Sequence, residues 1–274
     1  MQVVVDMKIV DLGVRDEPIV LFGGPYSNLH ALDGLLNDIQ AGGLSAQNMI
    51  CTGDMVAYCA DGAACVEKMR DLKIPTVAGN CEKQLADGAE DCGCGFEAGT
   101  ACDVLSVAWY GHARQTIDAE LRSYLGTCPD RLVFRHHDRR YIVIHGGASD
   151  ISAFLWPSSE TALFEAECAT LEEEIGSFDA VIAGHCGMAF QRDVGGKSWV
   201  NAGTIGLPPH DGRQQTRYAI LDQGQVSFHQ LDYDAAAAQT AMIAAGLTQG
   251  YHESLMSGYW PSEDILPKQY RRAC

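Results

Sequence analysis

Short apolar runs alternate with segments of helical spacing in the first eighty residues. The apolar runs cover 19–22, 48–54 and 74–80. Leucine and isoleucine recur three and four positions apart between residues 29 and 39, and a second helical pattern covers 61–72. Ser27 is the predicted N-cap of the first helix, and Gly42 is its stop signal. The resulting β-α-β-α-β order predicts a parallel, buried sheet with helices packed on its faces.

The remainder of the chain mixes both patterns. Residues 81–103 are rich in glycine and cysteine and too long for a plain connection, so we expect an irregular insertion loop there. Helical spacing is found at 103–112, 116–125, 159–175 and 235–245. Residues 131–147 predict a β-hairpin with a polar turn, and an apolar strand follows at 178–187. Short strands at 188–193, 197–202, 216–222 and 225–231 predict a second, antiparallel or mixed sheet.

No internal repeat and no linker divides the sequence. We therefore expect a single domain over 1–274, with a helical tail from about 234 that packs back through Leu255, Tyr259 and Trp260. In parallel sheets of this kind, functional residues collect in the loops beyond the carboxyl ends of the strands.

Composition and charge narrow the class of protein. The 274 residues are 47% apolar and 20% charged, which is typical of a globular protein. The formal charge of −17 disfavours nucleic acids and anionic membrane surfaces as partners. No apolar run approaches the roughly 20 residues that span a bilayer, and the stretch MQVVVDMKIVDLG lacks the basic start of a secretion signal. We expect a cytoplasmic protein whose site holds a local positive charge, such as a metal ion, if its substrate is anionic.

The sequence contains 11 cysteines. An odd number without a secretion signal predicts mostly reduced thiols. Cys51, Cys65 and Cys168 fall within strand or helix patterns and are predicted to be buried apolar residues. Five others lie in glycine-rich loops: Cys81, Cys92, Cys94, Cys102 and Cys186.

Four apolar strands end in the same way, with a glycine beside one residue that can bind a metal. The four residues are Asp54, Asn80, His145 and His185. Because the carboxyl ends of such strands collect at one edge of the sheet, we expect these side chains to converge. A carboxylate, an amide oxygen and two imidazoles suit Zn, Mn or Fe, so the pattern predicts a divalent transition-metal site.

The order of these motifs resembles that of the calcineurin-like metallophosphoesterases, whose pattern is D-x-H, G-D, G-N-H-[DE], a histidine after a strand, and G-H-x-H. The resemblance extends from residue 19 to about 232 and includes the closing stretch NAGTIGLPPHDGRQQTRYAILD. It implies a four-layer α/β/β/α sandwich of two mixed β-sheets flanked by helices. It also implies a two-metal family that hydrolyses phosphate esters or anhydrides with a metal-activated water.

The sequence departs from the family pattern at one of the two metal positions. Gly24 stands at the aspartate of D-x-H, Tyr26 at its histidine, and Gly187 at the last histidine of G-H-x-H. In the family these three residues bind one metal, together with the shared aspartate of G-D. The four strand-end residues match the complete ligand set of the other metal. The resemblance therefore implies one ion here, and it leaves open a second ion held by other ligands.

Cys81 stands where the family has the histidine of G-N-H, which contacts the phosphoryl group or protonates the leaving group. It is either an inert packing residue or an added soft ligand or nucleophile. Cys81, Cys186 and Tyr26 are therefore candidate additional ligands. The candidate catalytic residues are Asp54, Asn80, His145 and Cys81.

The cysteine spacing in the insertion loop matches no standard zinc-finger or ferredoxin pattern. Two interpretations remain open. The cysteines are small residues of a tight loop, or Cys92, Cys94 and Cys102 form a thiolate site for a second metal or a redox pair. The turn formed by His136, His137 and Asp138 is predicted to be solvated surface.

Four residues are candidates for contact with a small phosphorylated substrate. Tyr26 lies in the first turn, and Asn28 begins the first helix, whose N-terminus can bind a phosphoryl oxygen. His210 and Arg213 lie in a loop that borders the substrate cleft in the family. The leading prediction is a metal-dependent phosphoesterase. The alternatives are a degenerate regulatory protein that binds metal or a phospho-ligand, and a redox or metal-handling protein; the oligomeric state stays open.

Overall fold

The computed structural model describes residues 7–272. Residues 1–6 and 273–274, which include both ends of the predicted domain and the start of the N-terminal stretch, lie outside the described residues. The described strands are β1 (Ile9–Val14), β2 (Ile19–Phe22), β3 (Met49–Cys51), β4 (Arg131–His136), β5 (Arg139–Val143), β6 (Ala180–Ala183), β7 (Phe190–Val194), β8 (Lys197–Asn201), β9 (Thr216–Asp222) and β10 (Gln225–Leu231). The α-helices are α1 (Leu29–Ala41), α2 (Gly62–Asp71), α3 (Asn80–Asp87), α4 (Ala101–Thr116), α5 (Ala119–Leu125), α6 (Thr161–Ile175), α7 (Ala235–Ala244) and α8 (Tyr251–Ser257).

The strands form two mixed sheets that pack face to face. The larger has the order β1-β4-β5-β6-β8-β7, and the smaller has the order β10-β9-β2-β3. Leu21 of the small sheet packs with Phe134 and Ile182 of the large one in the core between them. On the outer faces, Leu32 of α1 belongs to the core of the small sheet and Phe164 of α6 to that of the large one. The predicted four-layer α/β/β/α sandwich is confirmed.

The first β-α unit forms as predicted, except at the start of its helix. All four residues of β2 are buried, which is why the run lacks polar positions. The N-cap is Asn28, whose side-chain oxygen accepts a hydrogen bond from the Ala31 N–H at 3.0 Å, and not Ser27. Tyr26 and Ser27 both adopt positive φ, which lengthens the turn by one residue. Ser27 uses its hydroxyl instead to accept from the Ala57 N–H.

The strand predicted at 74–80 is wrong. Only Thr76 pairs, in a single bridge with Cys51 of β3. Pro75 offers no N–H to a ladder, and α3 already begins at Asn80. Pairing is therefore confined to the short edge of β3.

The prediction that the last four strands form one second sheet is also wrong, because they are divided between the two sheets. β7 and β8 extend the large sheet beside β6, whereas β9 and β10 join the small sheet beside β2. Alternating burial along a strand indicates which face is apolar, but it does not say which distant strand is the partner. β1, an exposed edge strand parallel to β4, was not predicted because neither of its faces is buried.

The insertion loop is shorter than predicted. Residues 80–87 form α3, and the irregular part covers 88–100 before α4. Glu82 at the third helical position accepts from the Gly79 N–H and so stabilises the start of α3, and Gly88 ends it with φ +70°.

The tail is helical and packs on the body as predicted. Leu255 of α8 is fully buried, and the half-buried Trp260 donates its indole N–H to the Pro208 carbonyl at 2.7 Å. Within 7–272, none of the helices combines the length and apolar character needed to cross a membrane.

Candidate metal centre

Three strand ends and one helix start bring the predicted ligands to one place. Asp54 follows β3, Asn80 opens α3, and His145 and His185 follow β5 and β6. One ligand atom each of Asp54, His145 and His185 lies within 4.8 Å of the others. Asn80 joins them through its side-chain oxygen, which is 3.2 Å from Nε2 of His145.

The spacing of the four ligand atoms suits a single small cation. Nε2 of His145 lies 3.2 Å from Asp54 Oδ2, 3.2 Å from Asn80 Oδ1 and 3.0 Å from His185 Nδ1. Two ligand atoms that are each about 2.1 Å from an ion and about 90° apart lie about 3.0 Å from each other. Asp54 Oδ1 is buried and makes no hydrogen bond within the described chain. The donor set and its spacing therefore fit a divalent transition metal.

The backbone fixes the tautomer of His145. Its Nδ1 lies 2.6 Å from the carbonyl oxygen of Thr52, and only a protonated Nδ1 can donate to that oxygen. Nε2 of the neutral ring then carries the lone pair and faces the other ligands. Such a backbone partner is the usual way in which a metal-binding histidine is oriented.

Burial and neighbouring charges together set the protonation of the ligands. Burial raises the pKa of Asp54, but the adjacent His145 outweighs it and the net pKa is lowered. Burial lowers the pKa of His145, yet the Asp54 carboxylate outweighs that effect and the net pKa is raised. Burial and then the charge of His145 lower the pKa of His185 to about 3. His185 is therefore a neutral imidazole at neutral pH and can offer a lone pair.

Glu82 is a further residue of the site that was not predicted from the sequence. It is fully buried, and its Oε2 accepts from the N–H groups of Asp54 at 2.7 Å and Gly79 at 2.8 Å. Its Oε1 accepts from the Val56 N–H at 3.3 Å. Burial, followed by the charge of Asp54, raises its pKa to about 7. The acidic position in the G-N-H-[DE] pattern was the available signal, and the structure shows that it joins two ligand segments.

Asp54 and His185 both hold left-handed backbone conformations, with φ of +56° and +62°. Non-glycine residues rarely adopt this region, and those that do often lie at functional sites. The Glu82 contact holds the backbone of Asp54 in place, and the Gly184 N–H, which donates to the His145 carbonyl, ties the segment before His185 to His145.

The first turn places an aromatic ring where the family pattern has metal ligands. The ring of Tyr26 folds over Gly24, and a Cβ at position 24 would lie 2.7 Å from its Cε1 atom. An aspartate at position 24 therefore cannot coexist with this ring. Tyr26 is 5% exposed, and its backbone N–H donates to the Asp54 carbonyl. Tyr26 thus lies beside the ligand set as predicted.

A second ring covers the other vacated position. A Cβ at Gly187 would lie 3.3 Å from Cζ2 of Trp260, and Gly187 also has a φ of +77°. A side chain at this position would be strained by the positive φ and would require the indole ring to move. Both glycines that replace family ligands are therefore packed against aromatic side chains.

A narrow pocket of about 40 Å³ opens onto Asp54 and His185. This volume has room for a few water-sized molecules. Six aromatic residues line it: Tyr26, Tyr58, Phe96, Phe154, Tyr251 and Trp260. The Phe154 ring centroid is 4.2 Å from that of His185, and the Tyr58 centroid is 4.8 Å from that of Tyr26. The surroundings of the ligands are therefore mostly apolar.

The thiols lie close to the site but do not form a metal cluster. Asn80 Nδ2 is 3.5 Å from Cys81 Sγ and 3.3 Å from Cys94 Sγ. Although a hydrogen bond with Cys94 lowers the pKa of Cys81, burial raises it well above the usual range, so the thiol stays protonated. Cys94 and Cys186 line the pocket, whereas Cys81 does not. The geometry favours the packing interpretation of Cys81 over a nucleophile.

The expected thiolate ligands are not assembled. Two groups of closely spaced metal-binding side chains occur in residues 7–272, and neither contains a cysteine. This disfavours Cys81 and Cys186 as additional ligands. Cys102, at the first turn of α4, contacts the Ser262 hydroxyl and the Ile265 backbone of the tail instead of Cys92 and Cys94. The geometry therefore favours the interpretation of Cys92, Cys94 and Cys102 as small residues of a tight loop over a thiolate site.

Three predicted substrate contacts also lie elsewhere. Asn28 uses both ends of its amide, because its oxygen caps α1 and its nitrogen donates to the Gly206 carbonyl. His210 accepts from the Trp260 N–H and pairs with Glu263, so it holds the tail. Arg213 is exposed and does not line the pocket. The local sequence predicts that these residues lie in loops near the site, but it does not predict the direction of their side chains.

The second group of closely spaced ligand atoms consists of Asp16, His136 and His137. It lies at the β4–β5 turn, where His137 and Asp138 both have positive φ and where solvated surface was predicted. Asp16 and His137 are exposed, in agreement with that prediction, but His136 is fully buried.

Comparison with known proteins identifies the family. The model of the calcineurin-like phosphoesterase superfamily domain matches residues 27–225. An uncharacterized protein of Methanocaldococcus jannaschii is 24% identical over 259 residues, which cover 88% of this chain and 98% of that protein. The fold is similar to that of a metallophosphoesterase from Sphaerobacter thermophilus, with a TM-score of 0.67, 22% identity and coverage of 89% of this chain and all of that one.

A hypothetical protein from Pyrococcus horikoshii OT3 is similar to the same extent, with a TM-score of 0.69, 15% identity and coverage of 89% of this chain and 98% of that one. At these identities the structural likeness establishes the fold, and the family model carries the assignment. The chain belongs to the calcineurin-like phosphoesterase superfamily.

Proposed function

We propose that this phosphoesterase hydrolyses a phosphate ester or anhydride of a small molecule with one divalent metal ion. Asp54, Asn80, His145 and His185 would hold the ion. The observation that carries the proposal is that the other three ligand atoms lie 3.0–3.2 Å from His145 Nε2, while Nδ1 of the same ring is held by a backbone carbonyl. Two oxygens and two imidazole nitrogens suit Zn, Mn or Fe.

When bound, such an ion lowers the pKa of a water molecule and offsets phosphoryl charge. The protein contributes the geometry around it. Asp54 supplies the negative ligand, and Glu82 fixes the Asp54 segment against the start of α3. The aromatic wall excludes water, which strengthens every electrostatic interaction inside the pocket.

The aromatic packing supports one ion instead of two. The ring of Tyr26 lies over Gly24 and the ring of Trp260 lies over Gly187, so the side chains that bind the other metal in the family have no room. Burial, followed by the charge of Asp54, raises the pKa of Tyr26 well above its usual value. Its hydroxyl is therefore a neutral donor, and we assign it the role of contacting a phosphoryl oxygen.

The test combines metal content with turnover. Purified protein should bind one Mn or Zn ion per chain and hydrolyse a chromogenic phosphate ester with that ion present. His145→Ala should lose both, because it removes the central ligand. His229→Ala is the matched control, since His229 lies in β10, where its ring contacts Ser227 and stacks on Tyr218 and none of the four ligands is among these partners. Retention of the ion by His145→Ala would overturn the proposed ligand set.

A second candidate is a regulatory protein that binds metal or a phospho-ligand without turnover. Cys81 in place of the family histidine favours it, because no acidic side chain other than Asp54 lines the pocket to protonate a leaving group. Binding of one ion and of inorganic phosphate, with no hydrolysis of monoesters, diesters or anhydrides, would establish this alternative.

A further inference from the structure

The charge balance of the pocket differs from that of a two-metal phosphatase. Among the described residues that line it, none is lysine or arginine, and the charged or ionisable polar groups at its base are Asp54 and His185. We propose, on the basis of the function proposed above, that the substrate is a phosphodiester monoanion with an apolar ring as one arm. A phosphate monoester dianion is the disfavoured ligand.

The net charge at the base of the pocket matches a ligand with one negative charge. One divalent ion and the Asp54 carboxylate leave a single positive charge at the base of the pocket, because imidazole binds a metal as the neutral ring. A phosphate monoester carries about −1.5 to −2 at neutral pH because its second pKa is about 6, whereas a diester carries one negative charge. A second negative charge would remain uncompensated in apolar surroundings, where isolated ions are costly. The formal charge of −17 on the chain acts in the same direction.

The aromatic residues that line the pocket form its wall and contact one another. Tyr58 contacts three other rings, with centroids 4.8 Å from Tyr26, 4.8 Å from Trp109 and 4.4 Å from Tyr251. The ring of Phe154 continues this surface on the side of His185. Rings prefer offset or edge contacts with other rings, so the wall suits a planar apolar arm. A monoester has one organic arm, and a diester has a second arm that can remain on this surface while the other leaves.

The pocket must widen to admit a ring, because about 40 Å³ is less than a phenyl group requires. The wall residues in irregular segments can provide this space. Phe96 lies between α3 and α4, and Trp260 follows α8. Both are only partly buried, so their displacement does not disturb the core between the sheets.

Ligand binding tests the inference separately from turnover. In calorimetric titrations of the Zn-loaded protein, diphenyl phosphate should bind at least about tenfold more tightly than phenyl phosphate. The free-energy difference behind this ratio is small compared with the Coulomb energy of two unit charges inside such a pocket. In parallel, kcat/KM should be higher for bis(4-nitrophenyl) phosphate than for 4-nitrophenyl phosphate, which release the same product.

Phe96→Lys adds a positive charge to the lining of the pocket at a partly buried position, and Phe96→Gln, which loses the same ring, is its matched neutral control. Phe96→Lys should shift the binding ratio toward phenyl phosphate by about tenfold, while Phe96→Gln should keep the order of the wild-type protein. Equal or tighter binding of phenyl phosphate by the wild-type protein would overturn the inference. Absence of turnover on both esters would count against the proposed hydrolysis, and the binding ratio would still decide the charge preference.

Discussion

The two halves of the candidate site differ in character, because one is lined by polar side chains and the other by packed aromatic rings. In one half, four polar side chains, three from strand ends and one from the start of α3, point at a common centre, and a backbone carbonyl and a buried glutamate fix their orientation. In the other half, glycines stand at the positions of metal ligands and aromatic rings pack on them. A buried group of polar ligands is stable only when every member has a partner, because an unpaired buried polar side chain costs free energy.

This difference explains why the departures from the family pattern occur together. Loss of one ligand would leave other buried polar groups without a cation, and each would cost free energy. Replacement of all three by Gly24, Tyr26 and Gly187 removes the polar groups and fills their space with rings. The result is a site in which one half is arranged to hold a cation and the other half is filled with packed rings.

The largest expected effect comes from the buried carboxylate of the polar half. Glu82→Ala removes the acceptor of the Asp54 and Gly79 N–H groups, and we expect metal affinity to fall by about 10–100-fold. Unpaired buried donors cost about 1–3 kcal/mol each, so the free energy of unfolding should fall by at least about 2 kcal/mol. Metal titration and urea unfolding measure the two effects.

Glu167→Ala is the control for stability alone. Glu167 accepts from the N–H groups of Ala148 and Ser149 in the loop beyond His145, but it touches none of the four ligands. It should lower the free energy of unfolding similarly and change metal affinity less. Equal metal affinities for Glu82→Ala and the wild-type protein would show that the ligands are not held through Glu82.

The polar half was predictable and the packed half was not. Asp54, His145 and His185 follow buried strands, and Asn80 follows a segment that is tied to β3 by the bridge between Thr76 and Cys51, so the carboxyl ends of the strands bring the four side chains together. The ring of Tyr26 fills its space because of distant neighbours such as Gly206, whose Cβ would lie 2.6 Å from Cβ of Tyr26. No local pattern encodes that contact.

The same distinction applies to the fold. Strands and helices with strong periodicity were predicted near their observed bounds, because burial on one face imposes the spacing. The pairing of β9 with β2 was missed, since it joins residues some two hundred positions apart. The roles of Cys94 and His210 were missed for a similar reason, because α3 and the tail decide where these side chains point.

An intermediate effect should follow from converting the packed half back to a polar one. The triple variant Gly24→Asp, Tyr26→His and Gly187→His, in the background Trp260→Ala, restores the family ligands and removes the ring that blocks position 187. We expect a second ion to bind, with an affinity below that of the first, because the surrounding wall remains apolar. Metal content per chain at saturation should rise from one to two.

Trp260→Ala alone is the control for this experiment. It opens space without adding ligands, so it should still bind one ion. If the wild-type protein already binds two ions at saturation, the packed half does not exclude metal, and the comparison between the two halves fails.

The smallest expected effect concerns the ring that covers Gly187. Nδ1 of His210 accepts from the Trp260 N–H at 2.8 Å, and Nε2 lies 3.0 Å from Glu263. Burial lowers the pKa of His210 from its usual 6.5, although Glu263 opposes the shift. The neutral ring is thus favoured in the folded state. Its contribution to stability is fully present above pH 6.5 and is lost as the pH falls through that value toward the lowered folded pKa.

Protonation of Nδ1 removes the acceptor for the Trp260 N–H. One hydrogen bond contributes about 1 kcal/mol, so amide exchange of residues 258–266, corrected for the intrinsic rate, should become about fivefold faster between pH 7 and pH 5. Helix α6 is the internal control, and His210→Gln should abolish the pH dependence because its side chain does not titrate. Unchanged protection over this range, or the same dependence in His210→Gln, would show that the ring over Gly187 is held by its apolar contacts and not by His210.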